Sequence, residues 1–379
     1  MPKTAAPVQT AVQNLPALTG VRALAASMVF WHHYLPPVLL VGAFWHSFFR
    51  EGHAGVSLFF VLSGFLIYYR HSGPDALNRG PLVRYAVHRF ARVYPMYFLI
   101  VVGMAMLGWA YDPKQQNVGL FLWTLFSQLT FIRGFSDQFK FIGVGQGWTL
   151  TTEATFYVLF PFLLWLIRPL GFAITLFTVY AVGLTLWAVG ELLCYHDYFR
   201  PFQFVLFYTF FGRAWDFFAG MMVAEYVKKR AAVAQKGKPW GAFPLFTLLG
   251  LLGIFGCLSA QALMETGTDA NPGWTTPSLL VFIGLMPVAV SAFYYGLVTE
   301  RSWVAWLLKT RVMVALGAAS YTFYLIHVGG PFAVINRLVW TFHYIGGFLA
   351  LQFLAYMLWK CVEEPLREWI VGGWRRTQP

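Results

Sequence analysis

The sequence predicts an all-α membrane protein, a bundle of about ten transmembrane helices with both termini on the cytoplasmic side. Three observations carry that prediction. Of the 379 residues, 58% are hydrophobic and 11% charged, where a soluble domain carries about a quarter charged residues. Apolar runs long enough to cross a hydrocarbon core of about 30 Å recur along the chain. The lysines and arginines fall between those runs, so the net charge of +12 reads as a topology signal and not as a nucleic-acid surface.

Taken in order, the first run covers about 20–41 and follows a polar, proline-containing segment, 1–17, with no separate apolar core and cleavage site. It therefore reads as part of the mature chain rather than as a signal peptide. Further runs lie at about 54–70, 93–111, 148–167, 171–193, 202–227, 240–263, 276–298, 312–335 and 345–362. The piece Leu120 to Ile132 is too short for a comfortable span, and charge decides its treatment. If it does not cross, 20 Lys and Arg residues fall inside and 6 outside; if it crosses, the split is 11 to 15. The first arrangement obeys the positive-inside bias, which makes the piece re-entrant or interfacial and the span count ten. One membrane domain, 18–362, is expected between a cytoplasmic tail at 1–17 and a polar, basic tail at 363–379. Cys194, Cys257 and Cys361 lack metal-ligand spacing, so neither a metal site nor a disulfide framework is expected. The 16 tryptophans suit interfacial anchoring.

Arg22 and His33 stand eleven residues apart in the first run, LTGVRALAASMVFWHHYL. On a helix that is about three turns plus 20°, so both share one face, roughly 16 Å apart along the axis. Ionisable groups inside a span are usually functional. His33 is expected near mid-bilayer, where a neutral imidazole could take a proton from a hydroxyl; a packing histidine is the plain alternative. His32 points about 100° away and reads as structural. Arg89 and Arg92, three apart, could hold a phosphorylated ligand or be ordinary flanking charge, and Arg79 and Arg84 read as flanking charge. Glu153 is expected just inside the outer boundary, as an acid, as a group orienting a histidine, or as an anchor for an arginine. Arg213 and Asp216 form an (i, i+3) pair deep in the sixth run, with a structural role favoured. Ser320 and His327 lie two turns apart on one face; His327 could position an acceptor or pack. Gly55 and Ser63 read as close-packing residues.

Together these stretches resemble acyltransferase family 3, membrane proteins that O-acylate sugars, lipids and antibiotics. Arg22 with His33 is similar to that family's R-x10-H signature, and Gly55-Val56-Ser57-Leu58-Phe59-Phe60 with Ser63-Gly64-Phe65 to its second-span motif. Arg89-x-x-Arg92-x-x-Pro95 resembles its R-x-x-R element, and Trp148-Thr149-Leu150-x-x-Glu153 with Phe156-Tyr157 and Pro161 its W-S-L-x-x-E-x-x-F-Y block. Arg213-x-x-Asp216-Phe217-x-x-Gly220, Ser320-Tyr321-x-x-Tyr324-Leu325-x-His327 and Glu364-Pro365-x-Arg367 complete an ordered set of seven. Asp216 stands where Glu is commoner and Thr149 where Ser is usual. The chain resembles the stand-alone form, without the SGNH-type domain that many relatives carry.

The resemblance implies an O-acyltransferase of the bacterial cytoplasmic membrane. Its donor would be a cytoplasmic acyl-CoA, most often acetyl-CoA, with no permanently bound cofactor. Its acceptor would be a glycan or a lipid-linked saccharide. Arg22, Arg89 and Arg92 would hold the donor, and His33 would act as general base or transient acyl carrier with Glu153 assisting on the outer side. Ser320, His327, Arg213 and Asp216 would serve the acceptor side or the structure. Two other classes compete: a transporter, in which buried Arg, His and Glu mark a permeation route, and a non-catalytic component of a polysaccharide-synthesis complex.

Overall fold

In the computed structural model the described residues are 15–111, 117–234, 243–264, 276–329 and 343–376. Among them the chain is helical and no strand forms. Six helical stretches are long and apolar enough to cross a membrane: Ala43–His71, Arg79–Ala110, Gly147–Leu193, Leu245–Met264, Pro277–Thr299 and Ile345–Trp374. The predicted tail at 1–14, the end of the ninth run at 330–335, and Lys3, Lys114, Lys236, Lys238 and Arg337 lie outside the described residues.

The first helix, α1, spans Pro16–His33, starting on a proline whose missing N–H costs nothing in the first turn. It stops eight residues earlier than the apolar run, because Pro36 and Pro37 bar the residues before them from helical backbone. His33 is therefore the last residue of α1, where the sequence reading had the helix continue to about residue 41. A short helix, α2 (Ala43–Arg50), and a 3₁₀ turn, Glu51–Ala54, lead into α3 (Gly55–His71).

Helix α4 runs unbroken over Arg79–Tyr111, so Arg84, Arg89 and Arg92 sit on successive turns of one helix. The segment expected to be re-entrant or interfacial forms α5, Val118–Leu129. At 1.5 Å per residue its twelve residues reach about 18 Å, well short of a bilayer core. The fourth and fifth apolar runs join in α6, Gly147–Leu193, kinked where Gly171 takes φ 78° just after Pro169.

The sixth run is not one straight span. It divides into α7 (Phe202–Tyr208) and α8 (Ala214–Ala234), and Arg213 lies at the break between them. The remaining elements are α9 (Leu245–Met264), α10 (Met286–Thr299) entered through a π-helical turn at Leu280–Leu285, α11 (Trp303–Leu308) and α12 (Arg311–Ile326). They are followed by α13 (His343–Leu358) and, after a second π turn at Trp359–Glu363, α14 (Glu364–Arg376). The polar stretch read as a tail is thus helical as far as Arg376.

Helix α3 is the centre of the bundle, packed between α1 and α8. The α3–α8 crossing is set by two reciprocal glycines. Gly64 meets the backbone carbonyl of Phe217 and Gly220 that of Val61, with no room at either for a Cβ. Around them Phe60, Phe65, Phe156, Phe210 and Phe217 form a fully buried aromatic core. Gly55 does what the sequence reading gave it, meeting the Ala25 carbonyl of α1.

Candidate active site

Two cavities lie against the same side of α1. The smaller, about 80 Å³, is lined by Arg22, Arg89, Arg92, Glu153, Ser63 and Ser320 among others. The larger, about 490 Å³, is lined by His32, His33, Glu51, His53, Trp148, Tyr208 and Arg213 among others. Val56 and Tyr324 line both, so the two chambers adjoin there. Arg22 and His33 each reach one chamber from one helix, as their shared face requires.

In the small chamber the three arginines are not equivalent. Arg92 is ion-paired with Glu363, whose second oxygen accepts from Thr322 Oγ1 at 2.7 Å. Glu363 is buried and comes from the π turn before α14. Sequence reading missed it, although an acid at the end of an apolar run was a signal. Arg89 lies over the Tyr157 ring, 5.7 Å from its centroid, and its buried Nε has no hydrogen-bond partner among the described residues. Arg22 donates from Nε to Ser320 Oγ at 3.2 Å, and the Ser320 hydroxyl donates to the Gly317 carbonyl at 2.8 Å. Two guanidinium groups here thus lack an acid partner among the described residues, a disposition that suits an anionic ligand.

Glu153 is also in this small chamber, accepting from Ser63 and from Tyr157. It does not line the chamber of His33, which corrects its expected place on the outer side. The reason lies in how α6 begins. The loop before it turns into the protein, held by Arg133 donating to the Val144 carbonyl at 2.6 Å and by Val144 N donating to Gln128 at 3.2 Å. Gln146 then donates to the Tyr324 and Leu325 carbonyls at 2.9 and 2.7 Å. Helix α6 therefore starts inside the bundle, and Glu153, six residues on, lies a further 9 Å or so along it. Burial lowers the pKa of the Arg133 guanidinium in this loop, and the neighbouring Tyr97 hydroxyl opposes the shift. Ser63, read as a packing residue, serves Glu153 instead.

The large chamber holds the histidines. His33 is exposed on its wall, with the His327 ring 5.0 Å away and the His32 ring 4.9 Å away, each edge-on. Nδ1 of His33 is 2.9 Å from the Val29 carbonyl, Nδ1 of His327 is 2.7 Å from that of Tyr324, and Nδ1 of His32 contacts that of Arg50. A carbonyl only accepts, so each Nδ1 carries the proton and each Nε2 keeps its lone pair. His32, read as structural, thus shares the chamber with His33. His327 is fully buried, stacked on Phe323, and its Nε2 has no hydrogen-bond partner among the described residues.

Arg213 and Asp216 pair at 2.8 Å with 1% exposure each, as expected for a structural pair, and Arg213 also donates to Ser57 at 2.7 Å. The guanidinium is held over the Phe282 ring at 4.6 Å and faces the large chamber. Glu51 and His53, which sequence reading passed over, line the same chamber; Glu51 is fully buried and lies 3.9 Å from His53 and 3.7 Å from Arg50. The signal was a carboxylate and an imidazole two residues apart just ahead of an apolar run. The remaining wall is aromatic, with Trp148 edge-on to Tyr208 at 4.7 Å. No group of acids, histidines and cysteines placed to hold a metal occurs among the described residues.

Residues 15–361 match the acyltransferase domain of acyltransferase family 3. The exopolysaccharide production protein ExoZ of Rhizobium meliloti is 29% identical over 216 residues, 54% of this chain and 62% of its own length. The acyltransferase MdmB of Streptomyces mycarofaciens is 26% identical over 174 residues, 42% of this chain and 41% of its own. The O-acetyltransferase OatA of Staphylococcus aureus is 24% identical over 390 residues, 93% of this chain and 57% of its own. The chain thus spans less than two thirds of each of these relatives. No solved structure matches. The chain belongs to acyltransferase family 3.

Proposed function

We propose that this member of acyltransferase family 3 is an integral membrane O-acyltransferase. It carries an acyl group, most often acetyl, from cytoplasmic acyl-CoA to a sugar hydroxyl of a cell-surface or secreted glycan. The observation that carries this reading is the two-chamber arrangement along α1. Two arginines without an ion-pair partner among the described residues mark one chamber, an imidazole with a free lone pair marks the other, and Val56 and Tyr324 are shared by both. Donor phosphate and acceptor hydroxyl need opposite surroundings, and this layout supplies both within about 16 Å.

In this reading Arg22 and Arg89 attract the anionic donor, and Arg92 is held in place by Glu363. The thioester passes Val56 and Tyr324 into the large chamber. There the acceptor sugar lies against the aromatic wall of Trp148 and Tyr208, a surface suited to a ring with one apolar face. Nε2 of His33 takes the hydroxyl proton as the oxygen attacks the thioester carbonyl. When the carbon–sulfur bond breaks, the thiolate takes that proton from the imidazolium, so His33 ends neutral. The Val29 carbonyl keeps Nδ1 as the donor and orients Nε2 throughout. Arg213 lends positive charge to the same chamber, where the tetrahedral intermediate carries an oxyanion.

The test is transfer of radiolabel from acetyl-CoA to membrane glycan by wild type and His33→Ala. Label in glycan with wild type alone supports the reading. Transfer that survives His33→Ala removes the catalytic assignment. Solute flux without transfer would support a transporter instead.

A further inference from the structure

A third cavity, about 470 Å³, opens at the end of the bundle where the basic residues collect. It lies between the C-terminal end of α3, the 3₁₀ turn Pro74–Leu77, the first turns of α4 and the middle of α6. Arg70 and Arg84 are exposed on its wall, and neither is ion-paired among the described residues. His71 beside them sits in the combined field of Arg89, Arg70, His88 and Arg84. Asp75 is the one acid on its wall among the described residues, so positive charge is in excess there, and a bound anion relieves the remaining repulsion. One wall is aromatic: the His71 ring is edge-on to Tyr85 at 5.1 Å, and Tyr85 packs against Phe160 at 5.5 Å. Asp75 is on the rim, with the Asn78 amide on one oxygen at 3.2 Å. The turn is braced by Arg168, which donates to the Gly73 and Pro74 carbonyls at 2.7 and 3.0 Å.

This cavity adjoins the small arginine chamber. Tyr85 donates its hydroxyl to the carbonyl of Tyr157 at 2.8 Å, and Tyr157 lines the small chamber. Arg84 and Arg89 are on the same helix, about 7.5 Å apart along its axis, one facing each space.

We propose that this third cavity holds the phosphorylated nucleoside end of the donor. Arg70 and Arg84 would bind its phosphates, with His71 beside the base, while the thioester arm runs past Arg89 into the small chamber. The inference rests on the acyl-CoA reading above and adds residues that flanking charge alone would not distinguish. A phospholipid headgroup offers the same phosphate chemistry. Asp75 on the rim can accept from a ribose hydroxyl or an adenine amino group, and the binding probes below separate the two sources.

The test is equilibrium binding to the purified full-length chain in detergent, comparing wild type with Arg70→Gln/Arg84→Gln. The probes are coenzyme A, adenosine 3′,5′-bisphosphate and S-acetylpantetheine, which lacks the nucleoside. Both substituted groups are exposed, so the melting temperature is expected to hold. The double variant is expected to lose roughly 100-fold in affinity for coenzyme A and for the bisphosphate, about tenfold per charged contact, and to bind S-acetylpantetheine like wild type. Unchanged binding of coenzyme A and bisphosphate would overturn the proposal while leaving the donor reading intact. So would an equal loss of S-acetylpantetheine. Retained bisphosphate binding with loss of co-purified phosphatidylglycerol would give the cavity to a lipid headgroup. A wild-type protein that binds no coenzyme A would overturn the donor reading itself, and this proposal with it.

Discussion

Arg89 and Arg92 are one turn apart on α4, yet their substitution by glutamine should fail in different ways. Arg92 forms an ion pair with Glu363, which is 3% exposed. Arg92→Gln leaves that carboxylate with only the Thr322 hydroxyl, and orphaning one partner of a buried pair costs about 3–5 kcal/mol. That is a large share of the roughly 5–15 kcal/mol that holds a typical protein folded. The variant should melt well below wild type in detergent, and adding Glu363→Gln should recover most of the loss by removing the stranded charge. Arg89 has no acid partner among the described residues, so Arg89→Gln should leave the melting temperature within about a degree or two. It forfeits one charge-assisted bond to the donor instead, about 1.5–3 kcal/mol, or roughly 10- to 150-fold in affinity. Thermal melting with coenzyme A binding on the same four proteins separates the two effects. Loss of donor affinity in Arg92→Gln with unchanged melting, or no rescue by Glu363→Gln, would refute the assignment.

Two further substitutions probe the frame around the chambers. Gly220→Val places side-chain atoms against the Val61 carbonyl and should force α3 and α8 apart, giving little folded protein by size-exclusion chromatography, whereas Gly256→Val, at an open position on α9, should be tolerated. Gln146→Leu removes both donors to the Tyr324 and Leu325 carbonyls and should cost about 1–3 kcal/mol by thermal melting, with acyl transfer falling further than stability because Tyr324 lines both chambers.

The helices were legible because apolar runs and proline breaks act locally. Arg22 and His33 were legible for the same reason: eleven residues on one helix leave their shared face no freedom. What was not legible depends on long-range placement. The run 202–227 is long and mostly apolar, and nothing local in it marks the break at Arg213, where Gly212 comes close against the Leu206 backbone. Glu153 was assigned to the wrong chamber because hydropathy places a helix start at the membrane boundary. The hydrogen bonds donated by Arg133 and Gln146, and the one Gln128 accepts from Val144 N, instead draw that start inside. Glu363 is separated from Arg92 by 271 positions, and nothing in either neighbourhood names the other. Of the three arginines that the resemblance assigned to the donor, the fold ties Arg92 to Glu363.

The account turns on His33 as the base, and the most direct measurement is the rate of acyl transfer from labelled acetyl-CoA with His33→Gln. Glutamine approximates the size of imidazole and keeps a donor for the Val29 carbonyl, but has no basic nitrogen. The rate should fall by about 10²–10⁴-fold, the usual contribution of a general base, with coenzyme A affinity and melting temperature unchanged. A His33→Gln protein that transfers within a factor of a few of wild type would contradict the account.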